Sequence, residues 1–232
     1  MQRVAIIPAR GGSKRLPRKN ILAILGRPML AYPVESAIQS GLFDQVIVST
    51  EDAEIEQVAK EAGARVLKRP DEFACDRSTV VQVCSHVLEE LHNEKIQPDY
   101  FCCIYATAIL ITPNDLTESY RFISEPPVAD FVMGVSEFNL QPVQALETQD
   151  GFLQPKWPEF MGVQSQFHPR LVASNGTIYW ARTKAFNKVK SFYGSRLKGF
   201  EIPKYRTVDL DTPEDLKFAK IMADNILGRD LY

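Results

Sequence analysis

Short apolar runs alternate with amphipathic stretches over residues 3–137. Residues 3–9, RVAIIPA, form an apolar run that ends at a proline and two glycines, the pattern of a buried strand. Pro28, Leu30, Val34, Ala37 and Ile38 follow helical spacing, which predicts a helix from Pro28 to about Gly41 with the proline in its first turn. QVIVST, residues 45–50, reads as a second strand. DAEIEQVAKEAG reads as a helix capped by Asp52, with Ile55, Val58, Ala59 and Ala62 inward and Gly63 as the stop. ARVLKRP is a third strand, and RSTVVQVCSHVLEEL a helix with Val80, Val83, Cys84, Val87, Leu88 and Leu91 on one face. DYFCCIYA is apolar on both faces, as a central strand would be. Thr112, Pro113 and Asp115 form a capping box opening another helix, and DFVMGVS is a fifth strand. This alternation predicts an α/β fold, a Rossmann-like, mostly parallel sheet with helices on both faces.

From about residue 138 to 174 the periodicity stops. Prolines at 142, 155, 158 and 169 accompany Phe152, Trp157, Phe160 and Phe167, which suits an insertion, a lid or a subunit contact. NGTIYWAR then resumes a strand, and TPEDLKFAKIMADNIL closes the chain as a helix starting at Thr212. Residues 1–232 therefore read as a single domain carrying one insertion.

The net charge of −2 excludes an overall basic footprint, so no nucleic-acid partner is expected. No secretory signal pattern and no long apolar run appears, which predicts a cytoplasmic protein without a membrane span. Cys75, Cys84, Cys102 and Cys103 have no metal-ligand spacing and read as reduced thiols.

Charge does change the picture locally. Arg3, Arg10, Lys14, Arg15, Arg18 and Lys19 fall within the first twenty residues, and no acid precedes Glu35. Most of them sit on the loop after the first strand, at a carboxyl end where parallel sheets bind ligands. Glycines there let backbone N–H groups approach an anion, and the cations add charge-assisted hydrogen bonds, so the loop suits a triphosphate. Gly11-Gly12-Ser13-Lys14 lacks the spacing of a P-loop, and no GxGxxG fingerprint abuts a helix. Far along the chain, Asp209 and Asp211 alternate on an extended segment before Thr212, so both carboxylates face one side. A hard cation such as Mg²⁺ takes one or two carboxylates plus phosphate oxygens, which fits that pair.

IPARGGSKRLPRKN resembles the signature of the CMP-sialic acid synthetase family, nucleotidyltransferases that activate acidic sugars with CTP. Three further family motifs follow in order: RPDEFACD from Arg69, NGTIY from Asn175, and VDLDTPEDL around Asp209 and Asp211. The resemblance implies a sheet of the nucleotide-diphospho-sugar transferase type. It also implies attack of a sugar's anomeric hydroxyl on the α-phosphate of CTP, with pyrophosphate leaving and Mg²⁺ as cofactor. It assigns nucleotide contacts to Ala9, Arg10, Gly11, Gly12, Ser13, Lys14, Lys19, Asn20, Arg69, Asp76 and Ser78. Arg10, Lys19, Asp209 and Asp211 are implied as catalytic, with the two aspartates as metal ligands. The proton acceptor stays open between a water on the cation and Asp209.

The sugar pocket departs from the sialic acid pattern. Tyr105-Ala106-Thr107-Ala108-Ile109-Leu110-Ile111 stands where those enzymes carry a polar run ending in arginine, and Ala173-Ser174 replaces an Arg-Pro. MLAYPVESAI, CCIYATAIL and DRST resemble the pseudaminic acid branch instead, whose sugar bears a methyl where sialic acid has a glycerol tail. Tyr105, Thr107, Ala108 and Asn175 are then implied as sugar contacts, for a nonulosonic acid destined for surface glycan or flagellin. Arg170, Arg182 and Lys156 remain open as partners of the sugar carboxylate. The resemblance further implies a homodimer through the insertion. Sialic, legionaminic and Kdo activation are the rival readings within the class, and a non-catalytic nucleotide-binding module is the rival outside it.

Overall fold

The computed structural model describes residues 1–75 and 77–228. The elements run β1 (Arg3–Pro8), β2 (Ala23–Ile24), β3 (Arg27–Pro28), α1 (Ala31–Gln39), β4 (Gln45–Thr50), α2 (Ala53–Glu61), β5 (Arg65–Lys68), α3 (Val80–Asn93) and β6 (Tyr100–Ile104). There follow α4 (Pro113–Ser124), β7 (Phe131–Glu137), β8 (Leu146–Gln149), β9 (Phe152–Pro155), β10 (Val172–Arg182), α5 (Thr183–Val189), β11 (Leu197–Glu201) and α6 (Pro213–Leu227).

The main sheet has seven strands in the order β11-β7-β10-β6-β1-β4-β5. β6 is the central strand and every one of its residues is buried, as its apolar faces require. The strands of β1 alternate their side chains between two cores. Ala5 and Ile7 face a cluster holding Leu30 just before α1, Val34 of α1, Ile55 and Ala59 of α2, and Leu116 of α4. Val4 and Ile6 face the other, with Cys84, Val87 and Leu91 of α3 and Phe186 of α5. Helices thus cover both sides.

β10 runs antiparallel to β6 and to β7, while the remaining neighbours are parallel. This orientation has a functional consequence. Ile178 pairs with Ile104 at the end of β6, so the start of β10, including Asn175, extends past the carboxyl end of β6 and runs beside the carboxyl end of β7.

Local chemistry explains most helix starts. Thr79 with Gln82, Thr112 with Asp115, and Thr212 with Asp215 each form a complete capping box. The helix expected from Pro28 begins instead at Ala31, and Pro28 belongs to β3. The cause is the intervening pair Leu25 (φ 47°) and Gly26 (φ 76°), which turns β2 back on β3 as a two-residue hairpin. Ile38, expected on the buried face, is 43 % exposed and lies beside Gly63.

α6 packs through a third cluster, in which Ala219 and Ala223 meet Ile109 and Leu110 from the loop after β6 and Leu210 from the preceding segment. The insertion holds the β8–β9 hairpin, all of whose residues are exposed. Among the described residues no helix is long and apolar enough to cross a membrane, and Cys75, Cys84, Cys102 and Cys103 are free thiols.

Candidate active site

The loop between β1 and β2 is held from beneath by the carboxyl end of β4. Ala9 N–H donates to Ser49 O (3.0 Å) and Gly11 N–H to Glu51 Oε1 (2.7 Å). A Cβ on Gly11 would overlap the Asp52 carboxylate, so this glycine serves close approach to α2. Arg18 adopts the left-handed region (φ 57°) and pairs with both Asp52 and Glu54. That cation of the N-terminal cluster is therefore a staple within the protein. Leu16 is buried, and Asn20 donates from Nδ2 to Arg10 O (2.9 Å) while its own carbonyl receives Leu30 N–H.

The Arg18 guanidinium holds the Asp52 carboxyl below its ordinary value of 3.8, helped by the N–H groups of Ile55 and Glu54 at the start of α2. A depressed folded-state value contributes stability above the unfolded-state value and loses it as pH falls through the folded one. Asp52→Asn, which keeps the helix cap, is accordingly expected to flatten the fall of Tm with acidification below about pH 4.

The other wall comes from the far end of the chain. Leu210 is fully buried, which leaves its neighbours Asp209 and Asp211 flanking it on an extended segment. Lys19 Nζ reaches across to Leu210 O (2.7 Å) and to Asp211 Oδ1 (3.4 Å), and Arg15 pairs with Asp211 Oδ2 (2.8 Å). Between the two walls lies a cavity of about 310 Å³ lined by Arg10, Ser13, Lys14, Arg15 and Lys19 on one side and Asp211 on the other. Asp209 keeps much of its surface open, yet its carboxyl is raised above the ordinary range, by desolvation first and by the Asp211 charge next. A carboxylate pair beside a cationic cavity, with Asp209 raised by the Asp211 charge, suits a hard divalent cation. Among the described residues no three His, Cys, Asp or Glu side chains gather into a ligand set.

Arg206 and Asp115 hold that segment in place. Arg206 donates NH1 to Asp115 Oδ2 (2.9 Å) and NH2 to Oδ1 (2.7 Å), while the same carboxylate caps α4 through Thr112. Both side chains are mostly buried. Arg206→Met is expected to cost about 2–3 kcal/mol, read as a lowered urea midpoint with unchanged slope.

Of the residues implied for the nucleoside, Arg69 is only 3 % exposed and donates NH2 to Ser49 O (2.6 Å), with NH1 4.0 Å from Glu51 Oε2. Burial lowers its pKa, and the nearby Arg10 charge lowers it further. Ser78 donates to Glu72 O (3.2 Å) and lies 3.2 Å from Cys75 Sγ. Asp76 lies outside the described residues. Gly12 faces open space.

The sugar candidates sit farther along the same edge. Asn175 donates Nδ2 to Ser136 Oγ (3.1 Å) and accepts from Thr177 (2.6 Å). Gly176 (φ 66°) approaches the Tyr105 ring, and Tyr179 bonds Ser174 (2.6 Å) behind it. Burial raises the Tyr105 phenol well above its ordinary range. Tyr105 and Thr107 are half-buried, but Ala108 is 4 % exposed and, with Ile109, Leu110 and Ile111, belongs to the packed clusters under α1, α4 and α6. The apolar run after β6 thus serves packing. Arg170 pairs with Glu137 and Glu201 at this edge, whereas Arg182 bonds Ala129 O at the opposite end of β10 and Lys156 pairs with Glu147 in the exposed hairpin. Sequence reasoning had not singled out Glu51 or Arg206, and it had counted Arg15 only among the loop cations and Asp115 only as a helix cap. For Glu51 the available signal was its place directly after the strand QVIVST.

A family model described as cytidylyltransferase matches residues 4–223. The chain belongs to the cytidylyltransferase family. It is a CTP-dependent nucleotidyltransferase. A pseudaminic acid cytidylyltransferase of Campylobacter jejuni is 33 % identical over 96 % of both chains. A CMP-N,N'-diacetyllegionaminic acid synthase of Legionella pneumophila is 28 % identical over 93 % of both. Among solved structures, CMP:2-keto-3-deoxy-manno-octonic acid synthetase complexed with CTP superposes with a TM-score of 0.70 over 97 % of this cytidylyltransferase and 100 % of that chain, at 20 % identity. That likeness is one of fold.

Proposed function

We propose that this cytidylyltransferase transfers CMP from CTP to the anomeric hydroxyl of pseudaminic acid. The sugar hydroxyl gives up its proton to solvent, its oxygen bonds to the α-phosphorus, the bond to the bridging α–β oxygen breaks, and pyrophosphate leaves. The observation that carries the reading is the convergence of Arg10, Lys14, Arg15 and Lys19 with Asp211 on one cavity. The cations bind and orient the triphosphate and meet the charge that builds on the leaving pyrophosphate. Asn20 holds the Arg10 carbonyl, so the loop's cations keep their direction before the nucleotide arrives. Asp209 and Asp211 are the side chains that would hold a divalent cation, Mg²⁺ in our reading. Such an ion supplies Lewis-acid polarisation of a phosphoryl oxygen.

For the sugar, the support is the likeness to the Campylobacter protein over nearly the full length, together with the half-buried Tyr105, Thr107 and Asn175 along the same sheet edge. The Legionella relative keeps legionaminic acid as the competing substrate. A panel of nonulosonic acids with CTP, read by pyrophosphate release, separates them. Pseudaminic acid is expected to exceed legionaminic and sialic acid in kcat/KM by at least about tenfold. Greater turnover of either rival contradicts the choice of sugar.

A homodimer belongs to the same proposal. Phe152, Leu153 and Phe167 are 75 %, 65 % and 71 % exposed on the insertion, an apolar surface of the kind that a partner covers. Sedimentation is expected to give a dimer, and Phe152→Ser with Leu153→Ser a monomer.

A further inference from the structure

Glu51 stands between the Arg69 side and the Arg10 loop of the proposed nucleotide site. Its Oε1 accepts the Gly11 N–H at 2.7 Å. Its Oε2 is buried without a hydrogen bond and lies 4.0 Å from Arg69 NH1. Arg69 is anchored by Ser49, and Gly11 follows Arg10, whose carbonyl is fixed by Asn20. A continuous path therefore runs from the nucleoside side to the triphosphate loop through this single carboxylate. Asp52 does not substitute for it, because its oxygens already hold Arg18 and the first N–H groups of α2.

We propose that Glu51 is a positioning residue for CTP, fixing the triphosphate loop against the Arg69 side of the site through its hydrogen bond from Gly11. This rests on the nucleotide reading above. Without the acceptor, the Gly11 N–H loses its hydrogen bond to the residue that follows β4. The loop then orders only when CTP binds, so the cost falls on nucleotide affinity.

Variants of the full chain separate the hydrogen bond from the charge. Glu51→Gln keeps an oxygen acceptor for Gly11. Glu51→Asp keeps the charge but is one methylene short. Glu51→Ala removes both. Calorimetric titration of CTP without sugar is the first readout, and steady-state kcat and KM are the second. Glu51→Ala and Glu51→Asp are expected to weaken CTP binding about tenfold, with kcat within about threefold of the parent. Glu51→Gln is expected to stay within about threefold in both. A purely structural role would lower Tm and the active fraction but leave the Kd of the folded molecules unchanged. The proposal is overturned by a parental Kd in Glu51→Ala, or by Glu51→Gln binding no better than Glu51→Asp. The second comparison decides alone should the alanine variant not fold. A parent protein that does not bind CTP overturns the nucleotide reading itself, whereas a parent that binds and variants that match it overturn only the role of Glu51.

Discussion

Lys19→Met is expected to lower kcat/KM for CTP by about three orders of magnitude while leaving the fold intact. The ammonium reaches across the cavity to Leu210 O and to Asp211. It is partly exposed, so its removal leaves no deeply buried charge, and far-ultraviolet circular dichroism and Tm are expected to stay near those of the parent. What is lost is a positive charge held at the place where the leaving pyrophosphate gains negative charge. Removing one preorganised donor of this type costs about 10²–10³ in rate, and the charge adds ground-state triphosphate binding. Stopped-time pyrophosphate assays at saturating and subsaturating CTP divide the loss between kcat and KM. A loss below about fivefold would mean that Lys19 only ties the two walls together.

Asp211→Asn is expected to be as severe, for a different reason. The substitution keeps the size of the side chain and both of its neighbours Arg15 and Lys19, but removes the charge that pairs with them and that raises the Asp209 carboxyl. An amide oxygen is a far poorer partner for a hard divalent cation than a carboxylate. Turnover is expected to fall about 10³-fold, since several kcal/mol of charge stabilisation is lost and each 1.4 kcal/mol is tenfold. A binding readout completes the test. CTP titrated without divalent cation should bind the variant at least as tightly as the parent, because one negative charge has left the cavity, while the gain in CTP affinity on adding Mg²⁺ should shrink. Equal Mg²⁺ enhancement in parent and variant would remove Asp211 from the cation's surroundings.

Much of the architecture was legible because local signals and burial agree. FCCIYA is apolar on both faces and is the middle strand of the sheet. The boxes at Thr112 and Thr212 set α4 and α6 to the residue. Where the reading missed, the reason is physical. Leu25-Gly26 makes a hairpin turn only through two left-handed residues, which an apolar stretch at helical spacing conceals. α5 and β11 are short, half-exposed pieces with no period to detect. Strand direction is invisible to side-chain alternation, so β10 gave no sign that it runs antiparallel.

The site was legible as charge but less so as geometry. Counting cations on the loop captures Arg10 and Lys19, yet it gives Arg18 the same weight, although Asp52 and Glu54 consume it. Gly11 suggested a backbone donor for phosphate, and its N–H is held by Glu51. Residues 108–111 suggested a sugar pocket, and they are buried, Ile109 and Leu110 against α6 and Ala108 and Ile111 in the core with α1 and α4. Acids just after a strand read as the start of the next helix, and only the folded chain reveals that they support the loop above.

One claim carries the rest: the N-terminal cations and the C-terminal carboxylates act on the same molecule of CTP. Crystals grown with CTP and Mn²⁺ measure it directly, since anomalous scattering locates the metal independently of the nucleotide. We expect triphosphate oxygens within hydrogen-bonding distance of Arg10 and Lys19, and a manganese peak against Asp209 or Asp211. Triphosphate found instead at the far end of the sheet, in the open groove of about 1010 Å³ beside Lys184, Lys188 and Lys190, would contradict the account.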